Sequence, residues 1–339
     1  MILICGFLLW FNFFEGLFTI EWFVYSQTAA YIITLIIALI AVVNKSGRFK
    51  FNWNLPFFLL IAKRSAPFAL LVLIMSFYNR IDPVLIERIL PNPLGKEQSG
   101  VYAQAFRLLD AGQNFAFLFA VLLLPLFSKM LSIKESVEKL VKLSFSIIIS
   151  GSLIIAITSQ FFATELMQLM YYINPGETEQ HYILRISQSA TILKLLMFSF
   201  VAISTNYIFG TLLTANHNLK QLNVIAVVGL LINITLNLIL IPYFYSVGSA
   251  YASLATQCTT AILQLILVYK IFKFKINPKF IINLISLSIL LIAMGYVLTE
   301  VINIRWELSF IGMVVLGLFF SFMLKLLNIK EFVAIIKEE

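Results

Sequence analysis

The chain has 339 residues, 61% apolar and 12% charged, with 24 Lys+Arg against 16 Asp+Glu for a net charge of +8 and a mean hydropathy of +0.96. Soluble domains hold roughly 45–50% apolar and about 25% charged residues, so a water-soluble enzyme is excluded. Cys5 and Cys258 lie in apolar runs, His181 and His217 have no HExxH spacing, and no P-loop, dinucleotide glycine motif or GxSxG occurs, so no disulfide framework, metal centre or cofactor is expected.

A membrane-crossing helix needs about 20 mostly apolar residues. Taken in chain order, such runs lie near 2–18, 23–43, 66–90, 100–127, 143–163, 186–213, 222–242, 247–270, 280–299 and 308–327, ten in all. The run Tyr31–Val43 does not alternate in polarity, which excludes barrel strands. The fold class is therefore all-α, a polytopic bundle of about ten membrane helices. The third span has two placements. Over 55–78 it leaves Lys63 and Arg64 in mid-membrane; over 66–90 it moves them to the interface and buries Arg80 and Asp82. The second keeps two adjacent cations out of hydrocarbon and puts Pro67 in a first helical turn, so 66–90 is the expected span.

Connector charges set the orientation. Lys45, Arg48, Lys50, Lys63 and Arg64 follow the second span, Lys129, Lys134, Lys139 and Lys142 the fourth, and Lys270, Lys273, Lys275 and Lys279 the eighth, whereas the alternate connectors hold Glu15 and Glu21, then Lys96 and Glu97, then Glu165, Glu177, Glu179 and Arg185, then Glu300, Arg305 and Glu307. The positive-inside rule makes the basic side cytoplasmic and puts both termini there, in a multi-pass protein of the cell (inner) membrane. The basic excess is a topology signal and implies no nucleic-acid partner.

Ionisable and amide groups inside spans are site candidates, because burying them in lipid is costly. Arg80 and Asp82, Arg107 and Asp110, Lys194, and the amides Asn79 and Gln113 qualify. Counted from the expected helix ends, the charges come out about 10–15 Å below the periplasmic edge. Arg107 and Asp110, spaced i,i+3, can pair on one face; Arg80 and Asp82, spaced i,i+2, cannot share a partner. Two readings stay open: a structural ion-pair knot, or a hydrophilic cavity with an anion-binding cationic floor and carboxylates for ion coupling. Pro83, expected inside the third helix, removes a hydrogen bond to the carbonyl of Asn79 and kinks the chain beside these charges as a hinge.

Three stretches carry a family resemblance. Asn79-Arg80-Ile81-Asp82 followed by Gly100-Val101-Tyr102-Ala103-Gln104-Ala105 resembles the "RxD … GxYxxAxxL" signature of polysaccharide-biosynthesis flippases, the O-antigen (Wzx-type) branch of the multidrug/oligosaccharidyl-lipid/polysaccharide exporters. Asn233-Ile234-Thr235-Leu236-Asn237 through Pro242, with Gly248-Ser249-Ala250 and Ala252-Ser253-Leu254, resembles that family's "NxxLNxxLIPxxGxxGAAxAT" run, and Leu124-Pro125-Leu126-Phe127-Ser128 its "xxPxxS" helix end.

The resemblance implies two six-helix lobes around a central cavity. The signature span is third here and seventh in the family, which implies a chain lacking about four N-terminal helices: a fragment, a truncated product or a reduced member. Residues 1–43 would then end the first lobe, 44–65 form a cytoplasmic linker, 66–270 make the second lobe, and 271–339 add two helices and a cytoplasmic tail.

The implied activity is movement of a lipid-linked oligosaccharide, a polyprenyl-pyrophosphate glycan, from the cytoplasmic to the periplasmic leaflet by alternating access, without covalent chemistry. Arg80, Arg107 and Lys194, with Asn79 and Gln113, would hold the substrate, and Asp82 and Asp110 would sense H+ or Na+ in a monomeric transporter. A drug antiporter of the same fold would use the same carboxylates, but three cations at one depth argue against a cationic cargo. A polysaccharide polymerase or ligase needs a larger periplasmic loop than Thr164–Arg185.

Overall fold

The computed structural model describes residues 20–46, 54–275, 277–301 and 305–328. The elements in order are α1 (Ile20–Ser46), α2 (Leu55–Arg80), α3 (Asp82–Ile89), α4 (Leu94–Ser132), α5 (Glu138–Met170), α6 (Glu179–Ala215), α7 (Leu219–Phe272), α8 (Pro278–Tyr296) continued by a π-helical turn over Val297–Val301, and α9 (Trp306–Met323). Among the described residues there is no strand, and eight helices are long and apolar enough to cross a membrane. The protein is an all-α, multi-pass membrane bundle. The expected first span, 2–18, lies outside the described residues.

Helix α7 is two crossings. Its 54 residues would run about 81 Å if straight, against a hydrocarbon core about 30 Å thick. Tyr245, at φ 52° and ψ −135°, breaks it into two arms. The Ser249 hydroxyl donates to Asn237 Oδ1 over 2.6 Å, whereas twelve positions along one straight helix would span about 18 Å. The chain therefore doubles back. Gly248 permits the close approach: a Cβ there would lie 2.5 Å from the carbonyl oxygen of Leu240. The expected spans 222–242 and 247–270 correspond to these arms.

The third span differs from expectation. Helix α2 starts at Leu55, eleven residues before 66, so part of the expected 44–65 linker is helical and Lys63 and Arg64 lie within the helix. The reason is local. Pro56, not Pro67, occupies the first turn, where a missing N–H costs nothing, and the Asn54 side chain accepts from Phe57 N at 3.2 Å. Long lysine and arginine stems can carry their charges toward water from within such a helix. At the other end α2 stops at Arg80, with Ile81 between it and α3. Ile81 keeps helical dihedrals (φ −77°, ψ −23°), its N–H bonds Phe77 O and its own carbonyl accepts from Leu85, so the chain stays helical there and is interrupted where Pro83 has no N–H for the carbonyl of Asn79.

The chain divides into two compact units, Met1–Ala62 and Lys63–Glu339. In the second, α6 packs along α4, α5 and α7, and α8 and α9 pack on α5. Lipid tails are as apolar as leucine, so burial alone does not drive such packing; close contact and polar bonds do. The buried faces are accordingly rich in small polar residues, such as Ser144, Ser150, Ser189, Ser199, Ser249 and Thr256. Gly295 sits against the Phe161 ring and Gly317 against Leu291 and Ile154, close approaches of α8 to α5 and of α9 to α8 and α5.

Candidate functional site

The break between α2 and α3 places Asp82 at the start of a helix and inside the second unit, with no solvent exposure. Two side chains reach each of its oxygens. Tyr102 of α4 donates to Oδ2 at 2.7 Å, as does Ser253 of the second arm of α7. From the first arm, Asn233 and Asn237 donate to Oδ1 at 3.1 and 2.9 Å. Among the described residues no cation pairs with this carboxylate. An ionised carboxylate offers about four acceptor positions, and here all four are engaged by neutral donors on two helices.

The network extends outward. Gln257 donates to Asn79 Oδ1 at 2.7 Å, and Asn206 of α6 donates to Gln257 and Thr260 at 3.3 and 3.0 Å. Asn79, Gln113, Ser199, Ser253 and Gln257 border a cavity of about 10 Å³, room for about one water. In this structure Asn79 and Gln113 therefore face a space far too small for a sugar.

Arg80 and Asp82 do turn to different partners, as i,i+2 spacing requires. Arg80 reaches across to Asp110 of α4, with Nη2 to Oδ1 at 3.3 Å and side chains 68% and 38% exposed. The sequence spacing allowed Asp110 to pair with Arg107; the structure gives Asp110 to Arg80, because the C-terminal turn of α2 meets that face of α4. Arg107, one turn away on α4, is exposed and has no ion-pair partner among the described residues. Lys194 is half-buried on α6, where its backbone carbonyl accepts from Gln160, and no described bond joins its side chain to the Arg80–Asp110 pair.

The two carboxylates thus occupy different settings. Asp110 lies at the surface beside a cation, and Asp82 is enclosed by neutral dipoles. Neither the ion-pair knot nor a single charged cavity describes both. Tyr102, Asn233, Asn237 and Ser253 were not among the expected site residues. The available signal was two amides at i,i+4 in an otherwise apolar span, which lipid disfavours unless they find partners. Among the described residues no group of three His, Cys, Asp or Glu could hold a metal ion.

Residues 1–131 match the polysaccharide biosynthesis protein family. That stretch includes Asn79, Arg80, Asp82, Tyr102, Arg107, Asp110 and Gln113, while Asn233, Asn237 and Ser253 join the site through geometry. The fold is similar to a solved structure of the lipid II flippase MurJ in an inward closed conformation, with a TM-score of 0.64 and 14% identity over 91% of this chain and 62% of that one. The chain thus spans less than two thirds of the MurJ chain it matches. No curated protein matches it in sequence. The family match thus covers the first 131 residues, and the structural similarity shows the fold.

Proposed function

We propose that the chain serves as a flippase for a lipid-linked oligosaccharide, carrying a polyprenyl-pyrophosphate glycan from the cytoplasmic to the periplasmic leaflet of the inner membrane, with both termini in the cytoplasm. Arg80 and Arg107, exposed within one turn of Asp110, suit a pyrophosphate, which guanidinium groups bind through charge-assisted, bidentate bonds. Lys194 adds a third cation on α6. No step of this activity requires a bond to be made or broken.

The observation that carries the reading is the contrast between Asp110, shared with a cation, and Asp82, held by neutral donors from α4 and both arms of α7. Asp82 is the coupling residue in this reading. Protonating Oδ2 turns an acceptor into a donor, so either the Tyr102 or the Ser253 hydroxyl must reverse. A sodium ion would instead require amide oxygens, not N–H groups, to face it. Either event changes how α3 is fastened to α4 and α7, and thereby biases two packings of the lobe. Pro83 beside it is the hinge.

The test is deletion of the gene in its host. Lipid-linked oligosaccharide should accumulate on the cytoplasmic leaflet while surface glycan falls, and both should be restored by the wild-type gene but not by the Asp82→Asn form. Unchanged glycan in the deletion strain would overturn the reading.

A further inference from the structure

A groove of about 1270 Å³ runs along α2 and the first arm of α7, walled by Pro67, Leu70, Leu73, Val224 and Val227. It exceeds the roughly 300–1,000 Å³ of compact small-molecule sites. Its walls are apolar and half or more of the Leu73 and Val224 side chains is exposed, as suits a hydrocarbon chain. One end is different. His217 and Lys220 line it there, and no acidic residue does.

The helices register so that a second cation lies at the same end. Asn223 donates to the Pro67 carbonyl at 2.9 Å, and farther along both helices a Cβ on Gly229 would lie 3.9 Å from the Tyr78 ring. Helix α2 and the first arm therefore run parallel. Lys220 precedes Asn223 by three residues and Lys63 precedes Pro67 by four. Spacings of three and four place each lysine on the helix face of its partner. Lys63, Ala66, Pro67, Leu70 and Leu73 share one stripe of α2 on this rule. Lys63 and Lys220 are both exposed, and neither has an ion-pair partner among the described residues.

We propose that this groove binds an anionic glycerophospholipid of the surrounding bilayer, one acyl chain along the apolar walls and the phosphate between Lys63 and Lys220. Basic pockets between membrane helices recognise anionic lipids in this way. Away from the His217–Lys220 end the lining is almost wholly apolar, with Asn223 its one polar side chain, which favours an acyl chain of a resident lipid over the glycan-bearing cargo. Lys63 is 17 positions from Arg80, about 25 Å along the helix, so the lipid site is separate from the Asp82 cluster and does not depend on the flippase reading.

Native mass spectrometry of the purified full chain, titrated with phosphatidylglycerol, phosphatidylcholine of the same chains, or polyprenyl phosphate, tests it. Phosphatidylglycerol should bind about ten-fold more tightly than phosphatidylcholine. Lys63→Gln with Lys220→Gln should abolish that preference, and Leu70→Trp should weaken both lipids by filling the groove, all with unchanged melting midpoints because the three positions are exposed. Equal binding of the two phospholipids, a preference surviving the double change, or polyprenyl phosphate outcompeting phosphatidylglycerol in a Leu70→Trp-sensitive manner would each overturn the proposal.

Discussion

The amide of Asn237 donates to the Asp82 carboxylate over 2.9 Å although 155 positions separate them in sequence. The same side chain accepts from Ser249 at 2.6 Å, so one asparagine ties the α2–α3 break to both arms of α7. Asn237→Ala should remove a bond to a charged group and orphan the Ser249 hydroxyl. A bond of this kind contributes about 1.5–3 kcal/mol. The detergent-solubilised variant should melt several degrees lower, whereas changes at Val224 or Leu231, exposed on the same arm, should not move the midpoint.

The backbone approach at the turn of α7 gives a sharper contrast. A Cβ on Gly248 would meet the Leu240 carbonyl at 2.5 Å, and backbone cannot swing aside as a side chain can; at Gly151 nothing lies within 4 Å. Gly248→Ala should therefore lower the yield of folded protein and its melting midpoint. Gly151→Ala, in the interior of α5, should be neutral or stabilising by up to about 1 kcal/mol, the helix-propensity difference. Equal behaviour of the two in fluorescence-detected size exclusion would show that the arms are not closely apposed.

Much of this was legible from periodicity and charge. Most of the spans and the turn between 242 and 247 follow from apolar run lengths; of the charged positions singled out by the cost of ions in lipid, only Asp82 is buried. The partners of Asp82 were not legible. Contacts between Asp82 and Asn233 depend on which helices become neighbours, and a repeat of 3.6 residues carries no such information. The third span starts earlier than the cost of two adjacent cations in lipid suggests, because Lys63 and Arg64 lie within a helix that begins at Leu55, with Pro56 in its first turn. The turn itself, with its break at Tyr245, is closed by contacts of Asn237, Gly248 and Ser249 on either side.

The connector between α5 and α6 should set an acid limit on stability. Arg185 donates to both oxygens of Glu177, from Nε at 2.8 Å and Nη2 at 2.9 Å. The backbone N–H of Asn174 adds 2.9 Å, and His181, whose other ring nitrogen meets Glu97 at 2.9 Å, adds 3.2 Å. The Arg185 guanidinium, foremost among these, holds the Glu177 carboxyl down to about 2. A depressed folded-state value means that this stabilisation is full above the unfolded carboxyl range near 4.3 and is lost as pH falls toward 2. Glu177 and Glu97 beside it raise the His181 imidazole above its ordinary range, so it stays charged throughout that window. The melting midpoint of wild type should drop between pH 4.5 and 2 by more than that of Glu177→Gln; parallel profiles would show the pair adds nothing.

Pro83→Ala probes the break between α2 and α3. Alanine restores an N–H that can reach the carbonyl of Asn79, so α2 and α3 can join into one helix across Ile81. Adding that bond costs the helix nothing, so the substitution should leave membrane protein level unchanged. Surface glycan should nonetheless fall if bending at this point belongs to the transport cycle. Unaltered glycan at equal protein level would remove the hinge.

The last prediction separates binding from scaffolding at the charged positions. Arg80 and Asp110 are 68% and 38% exposed, and ion pairs that exposed contribute about 0–1 kcal/mol. Arg107 is exposed without an ion-pair partner among the described residues. Arg80→Gln, Arg107→Gln and Asp110→Asn should therefore each leave abundance near wild type. Asp82→Ala is the opposite case: it strands four buried donors, from Tyr102, Ser253, Asn233 and Asn237, and each unmet group costs about 1–3 kcal/mol. That variant should be depleted from the membrane. With abundance and surface glycan scored together, loss of glycan in Arg80→Gln and Arg107→Gln at normal protein level assigns these cations to an anionic substrate. If instead both readouts fall together in Arg80→Gln and both return in Arg80→Gln with Asp110→Asn, the pair is a scaffold and the anion must be met elsewhere, with Lys194 the cation left to test.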